Sequence, residues 1–113
     1  MKQFTVNLED REGSLLVVAR GELDLATAPE LEAALAERNG NEPVTIDLRG
    51  LTFLDSSGLR AILTLDRRLA ETGGKLTLVR GAKAVHQVFE IAGLDKKLDF
   101  VDEPELPSGA GRG

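Results

Sequence analysis

The 113-residue chain has no cysteine, which excludes disulfide staples, thiolate nucleophiles and zinc–thiolate sites. Tyrosine and tryptophan are also absent and phenylalanine occurs only four times, so a core must be packed with aliphatic side chains. The one histidine, His86, rules out a histidine-based metal site. It sits in a predicted helix with nothing nearby to make it the base of a serine nucleophile. There is no G-x-S-x-G elbow, P-loop, G-x-G-x-x-G or EF-hand spacing, so neither a catalytic activity, a bound metal nor a cofactor is expected. Basic residues are outnumbered 14 to 19, and a net charge of −5 speaks against nucleic acid, whose phosphates need a basic face. No apolar run approaches the roughly 18–20 residues of a membrane span, so no membrane insertion is expected. The opening MKQFTVNLED lacks an apolar signal core, and the expected location is cytoplasmic.

What is present reads as one globular domain, because 42% apolar and 29% charged residues match ordinary folded usage. Phe4, Val6 and Leu8 alternate with polar neighbours, the period of a half-buried strand. After the turn Arg11–Ser14, the run Leu15–Ala19 predicts a more buried strand, pairing with the first as an antiparallel hairpin. Thr27-Ala28-Pro29-Glu30 reads as a capping box opening a helix with Leu31, Ala34 and Leu35 inward and Asn39-Gly40 as its stop.

Val44–Leu48 predicts a third strand, and Arg49–Leu54 reads as a connection. A second helix is expected from about Ser57 to Thr72, with Leu59, Ile62, Leu63 and Leu69 inward and Arg60, Thr64, Arg67 and Glu71 outward. Lys75–Val79 predicts a fourth strand. Ala82–Ala92 predicts a third helix burying Val85, Val88, Phe89 and Ala92, and Leu98–Val101 a last short strand. The order β-β-α-β-α-β-α-β implies an α/β fold with a mainly parallel sheet and an N-terminal antiparallel hairpin. The folded domain is expected over residues 1–102. Residues 103–113, rich in Pro and Gly, read as a disordered tail.

In such folds the informative loops lie beyond the carboxyl ends of the strands. Here that loop is Phe53-Leu54-Asp55-Ser56-Ser57-Gly58-Leu59, leading into the second helix. Asp55, Ser56 and Ser57 are all good helix-capping residues, so the segment has a purely structural reading as well. Asp24 likewise reads as a loop Asx turn.

The segment Phe53–Leu59 resembles the phosphorylation-site motif of bacterial anti-sigma factor antagonists, members of the STAS domain family. Gly21-Glu22-Leu23-Asp24 with Thr27-Ala28 is similar to that family's second signature, and Ile91-Ala92-Gly93-Leu94 to the end of its third helix. The likeness runs from about Phe4 to Val101. It implies a non-enzymatic partner switch. The unphosphorylated antagonist binds an anti-sigma factor, a serine kinase with a histidine-kinase-like ATP-binding fold, and so frees a sigma factor. Phosphorylation ends that binding, and a PP2C-like phosphatase restores it.

The implied acceptor is Ser56, with Ser57 as runner-up. Asp24, Asp55, Ser57, Gly58, Arg60 and Arg67 are the expected partner-binding residues, with support of the phosphorylation reaction as the other role the resemblance implies for Asp24. The alternative within the fold is a constitutive STAS subunit that binds the ATPase of a lipid-transport ABC system; such relatives tend to carry Thr at the acceptor position. Where family members often end in an amphipathic helix, Glu103–Pro107 allows at most a turn.

Overall fold

The computed structural model describes residues 3–36, 38 and 41–104. The hairpin forms as expected: β1 (Phe4–Arg11) and β2 (Ser14–Leu23) pair antiparallel from Phe4↔Gly21 to Arg11↔Ser14. Only Glu12 and Gly13 turn the chain, and Gly13 takes φ +79°, a conformation that costs a residue without a Cβ little. The chain continues through α1 (Ala28–Leu35), β3 (Pro43–Leu54), α2 (Ser56–Glu71), β4 (Lys75–Val79), α3 (Lys83–Ile91) and β5 (Phe100–Val101). The sheet order is β1-β2-β3-β4-β5, with every pair after the hairpin parallel. Helix α2 packs against both α1 and α3, so the helices share one face of the sheet.

Between helices and sheet lies an almost wholly aliphatic core. Leu15, Val17, Ile46, Leu48, Ile62 and Leu78 are buried there around Phe89, the one fully buried aromatic ring among the described residues.

Several boundaries differ from the sequence expectation. Arg49–Leu54 is not a connection but the second half of β3. It keeps its pairing with an equally extended β2 across register shifts at Val18/Arg20 and Gly21/Glu22. Those irregularities break the simple alternation, which is why Arg49-Gly50-Leu51-Thr52 does not read as a strand.

Helix α1 ends at Leu35, where the Ala36 amide turns back to the Ala33 carbonyl at 3.3 Å, before reaching Asn39-Gly40. That expected stop lies outside the described residues. Leu98 belongs not to β5 but to a turn in which its amide donates to the Leu94 carbonyl at 3.1 Å. On α2, Leu65 joins the core while Leu63 is half-buried; on α3, Ala92 is exposed, beyond the last buried turn. Of the tail over residues 103–113, only Glu103 and Pro104 are described, and neither is in a helix or strand.

Asp47 is a charged group in the sheet, 6% exposed. Burial by itself pushes its carboxyl upward. Hydrogen bonds from the Arg49 side chain (2.8 and 3.0 Å) and backbone amide (3.0 Å), with the positive charges of Arg49 and Arg20, outweigh burial and hold it below the usual carboxylate value. A carboxylate depressed in the folded state adds stability above its unfolded pKa and loses it as pH falls through the folded one. Arg49→Gln removes the depressing charge and leaves burial, so its deficit against wild type is expected to be largest near pH 7. The deficit should shrink as pH falls and Asp47 is protonated, first in the variant and then, below the usual carboxylate value, in wild type. Urea unfolding from pH 3 to 7 measures this, and a pH-independent deficit would mean that Arg49 acts through packing alone.

Candidate functional site

Parallel pairing brings the two signature segments together. The last pairs of β2 and β3 are Glu22↔Phe53 and Leu23↔Leu54, so Asp24 and Asp55 leave the sheet from adjacent strand ends. The Asp55 amide donates to the Leu23 carbonyl at 3.2 Å and ties the exits together. This is the carboxyl edge of the parallel strands, where α/β folds place their ligands and partners.

Of the three capping residues in the loop, Asp55 does the work. It is extended (φ −115°, ψ −174°), and its Oδ1 accepts from the amides of Ser57 at 2.9 Å and Gly58 at 3.0 Å. Ser56 is therefore the first helical residue, exposed, with its hydroxyl not needed as a cap; Ser57 is half-buried. Asp55→Ala is expected to lower stability by about 1 kcal/mol, a drop of roughly 4–8 °C in Tm for a domain of this size. Asp55→Asn should retain most of it, and thermal unfolding followed by circular dichroism separates the two.

Gly58 is buried where α2 starts against β2. A Cβ there would lie 2.6 Å from the Leu23 carbonyl oxygen and 2.7 Å from Leu54 Cδ1, so only glycine fits without movement.

Asp24 is 3% exposed and forms the Asx turn that was one of its two readings. Its Oδ1 accepts from the amides of Ala26 at 3.0 Å and Thr27 at 3.2 Å. Thr27 stands at the N-cap position of α1 but makes no side-chain cap, contrary to the capping-box expectation. Its hydroxyl donates to the Glu22 carbonyl at 2.6 Å and accepts from the Asp24 amide at 2.9 Å, locking the β2–α1 loop instead. The locked loop carries Leu25 into solvent at 74% exposure, on the same edge as half-exposed Phe53. A single loop leucine has no periodicity to mark it, so Leu25 is not legible in the sequence.

Arg60 and Arg67 are both exposed on α2, as expected, and neither side chain has an ion pair or hydrogen bond among the described residues. His86 packs elsewhere, edge-on to Phe100 with centroids 4.7 Å apart and tilted against Phe89 at 6.1 Å. Among the described residues no cluster of three or more His, Asp or Glu side chains could hold a metal ion, and no helix is long and apolar enough to cross a membrane. The site offers an accessible hydroxyl in the first turn of a helix, where an added anion is electrostatically tolerated.

Comparison with known proteins agrees with this geometry. Residues 6–102 match a family model described as "Mlab, STAS domain". BtrV, a putative anti-sigma factor antagonist of Bordetella bronchiseptica, is 33% identical over 90 residues, 78% of each chain. An anti-sigma factor antagonist from Mycobacterium paratuberculosis has a similar structure, with a TM-score of 0.76 and 31% identity over 89% of this chain and 87% of that one. SpoIIAA, at 23% identity, shares the fold in its unphosphorylated form (TM-score 0.72, 89% of this chain and 90% of that one) and in the phosphorylated form from Bacillus (TM-score 0.66, 89% and 93%). With this sheet order and these relatives spanning most of its length, the chain belongs to the STAS domain family, alongside proteins named anti-sigma factor antagonists.

Proposed function

We propose that this protein is a cytoplasmic anti-sigma factor antagonist without catalytic activity of its own, switched off by phosphorylation of Ser56. The observation that carries the reading is the exposed Ser56 hydroxyl at the first position of α2, released from capping by Asp55. Relatives named anti-sigma factor antagonists support the first half of the reading, and a fold relative solved with and without phosphate supports the second.

In this mechanism the unphosphorylated protein binds an anti-sigma factor serine kinase of histidine-kinase-like fold and releases the sigma factor. The kinase transfers the γ-phosphoryl group of ATP to Ser56 Oγ, the hydroxyl gives up its proton, and ADP leaves. A PP2C-like phosphatase hydrolyses the phosphoserine and resets the switch. The phosphate adds about −1.5 to −2 charge next to Asp55. The helix N-terminus accommodates it, so the fold persists while the docking surface changes.

Arg60, Arg67 and Asp55 contact the partner directly in this reading, with Ser57 at the margin. Asp24 and Gly58, both buried, act by holding the two strand exits in shape.

The test is phosphosite mapping by mass spectrometry after incubation with ATP and candidate serine kinases. Phosphate on Ser56 with loss of kinase capture is the expected result. Phosphate on Ser57 instead moves the acceptor by one residue. No phosphorylation, with stable capture of a transporter ATPase, overturns the switch in favour of the constitutive ABC-system subunit.

A further inference from the structure

Most of the backbone amides that could receive an anion at the start of α2 are already engaged. Those of Ser57 and Gly58 donate to Asp55 Oδ1, and that of Leu59 donates to the Asp55 carbonyl at 2.9 Å. A phosphate on Ser56 therefore adds charge beside a carboxylate with few amides left in that turn to receive it, which favours pairing with a cation from a side chain. Arg60 is four residues on. Positions i and i+4 of a helix stand on one face with Cβ atoms about 5–6 Å apart, and long helical side chains lean toward the N-terminus, here toward Ser56. Both residues are exposed, and Arg60 is engaged by no other side chain among the described residues. Arg67, the other outward arginine, lies eleven residues from Ser56, about three turns away.

We propose that Arg60 is an intramolecular clamp for the phosphate on Ser56, its planar fork pairing with the phosphate oxygens across one helical turn. The inference rests on Ser56 as the acceptor. Its consequence is a switch with two strokes. Phosphorylation places negative charge on the docking edge, and it also withdraws from the partner a cation that the unphosphorylated protein presents. Arg60→Gln removes the second stroke and leaves the first.

The experiment uses the full chain with phosphoserine installed at position 56 during translation, so that it does not depend on any kinase. The second ionisation of the phosphate is followed by phosphorus-31 NMR between pH 4 and 8. A cation paired with the phosphate favours the dianion, so the wild-type midpoint is expected to lie below that of Arg60→Gln by about 0.2–0.4 pH unit. Arg60→Lys should fall between them, and Arg67→Gln should match wild type. Identical midpoints in wild type and Arg60→Gln overturn the clamp. Equal shifts in Arg60→Gln and Arg67→Gln also overturn it, because they report only the lost net charge. If phosphosite mapping places the phosphate elsewhere while this titration shows the shift, the acceptor assignment fails and the pairing chemistry stands. The reverse pattern removes the clamp alone.

Discussion

Ser56→Asp is expected to fold like wild type and to bind the anti-sigma factor kinase about 100-fold more weakly, a loss of ~2.8 kcal/mol. The first expectation follows from the local structure. Position 56 is exposed in the first turn of α2, where a carboxylate interacts favourably with the helix dipole. The cap is Asp55, whose bonds to the Ser57 and Gly58 amides do not involve the Ser56 side chain.

The second expectation follows from burying a new negative charge in an interface beside an existing one, with no partner provided for it. A phosphate carries nearly twice the charge, and its effect should reach about 1000-fold, or ~4.1 kcal/mol. Ser56→Ala should bind as the unphosphorylated protein does, resist phosphorylation and lose little stability, because it removes no cap. Calorimetric titration against the kinase together with chemical denaturation of each variant decides the matter. Wild-type affinity in Ser56→Asp would place the docking surface elsewhere. Loss of folding would make Ser56 a structural residue first.

Gly58→Ala is expected to have the largest effect on stability, with a sign opposite to the usual one. In a helix interior, replacing glycine by alanine ordinarily gains about 1 kcal/mol. At position 58 the added methyl would meet the Leu23 carbonyl oxygen at 2.6 Å, Leu54 Cδ1 at 2.7 Å and Leu23 Cγ at 2.8 Å. The leucine side chains have some freedom to move; the carbonyl does not, because it also accepts the Asp55 amide that joins the two strand exits. Overpacking of this kind costs about 1–3 kcal/mol, and contact with an immobile carbonyl puts it toward the upper end, so a net loss of about 1–2 kcal/mol and a Tm drop of roughly 4–16 °C are expected. Since α2 would have to back away from β2, the Asp55 cap and the neighbouring Asp24 turn should loosen as well. Hydrogen exchange of the Ser57 and Ala26 amides measures that directly. An unchanged or raised Tm would show that the close approach is not required.

Much of the architecture was legible because its determinants are local. The alternation in Phe4–Leu8, the apolar run from Leu15, the Asp-Ser-Ser start of α2 and the glycines after α2 and α3 act over a few residues, and the elements appear where those signals stand. Composition determined an aliphatic core, and strand–helix alternation determined a parallel sheet behind a hairpin. The D-S-S-G segment was recognisable as a candidate site for the same reason, as a contiguous string.

What the tertiary structure decided are the outcomes of competition. Asp55, Ser56 and Ser57 were equally able to cap α2, and the extended backbone of Asp55, bonded to Leu23 at the strand exit, selected one and left Ser56 exposed. Thr27 had the position and chemistry of a cap but found a better acceptor in the Glu22 carbonyl. Arg49–Leu54 became strand because β2 stayed beside it across two register shifts, a pairing between segments some thirty residues apart. Hydrophobic period and capping preference are properties of a segment; which of several donors reaches an acceptor, and which strand edge is still available to pair, depends on where the rest of the chain has been packed.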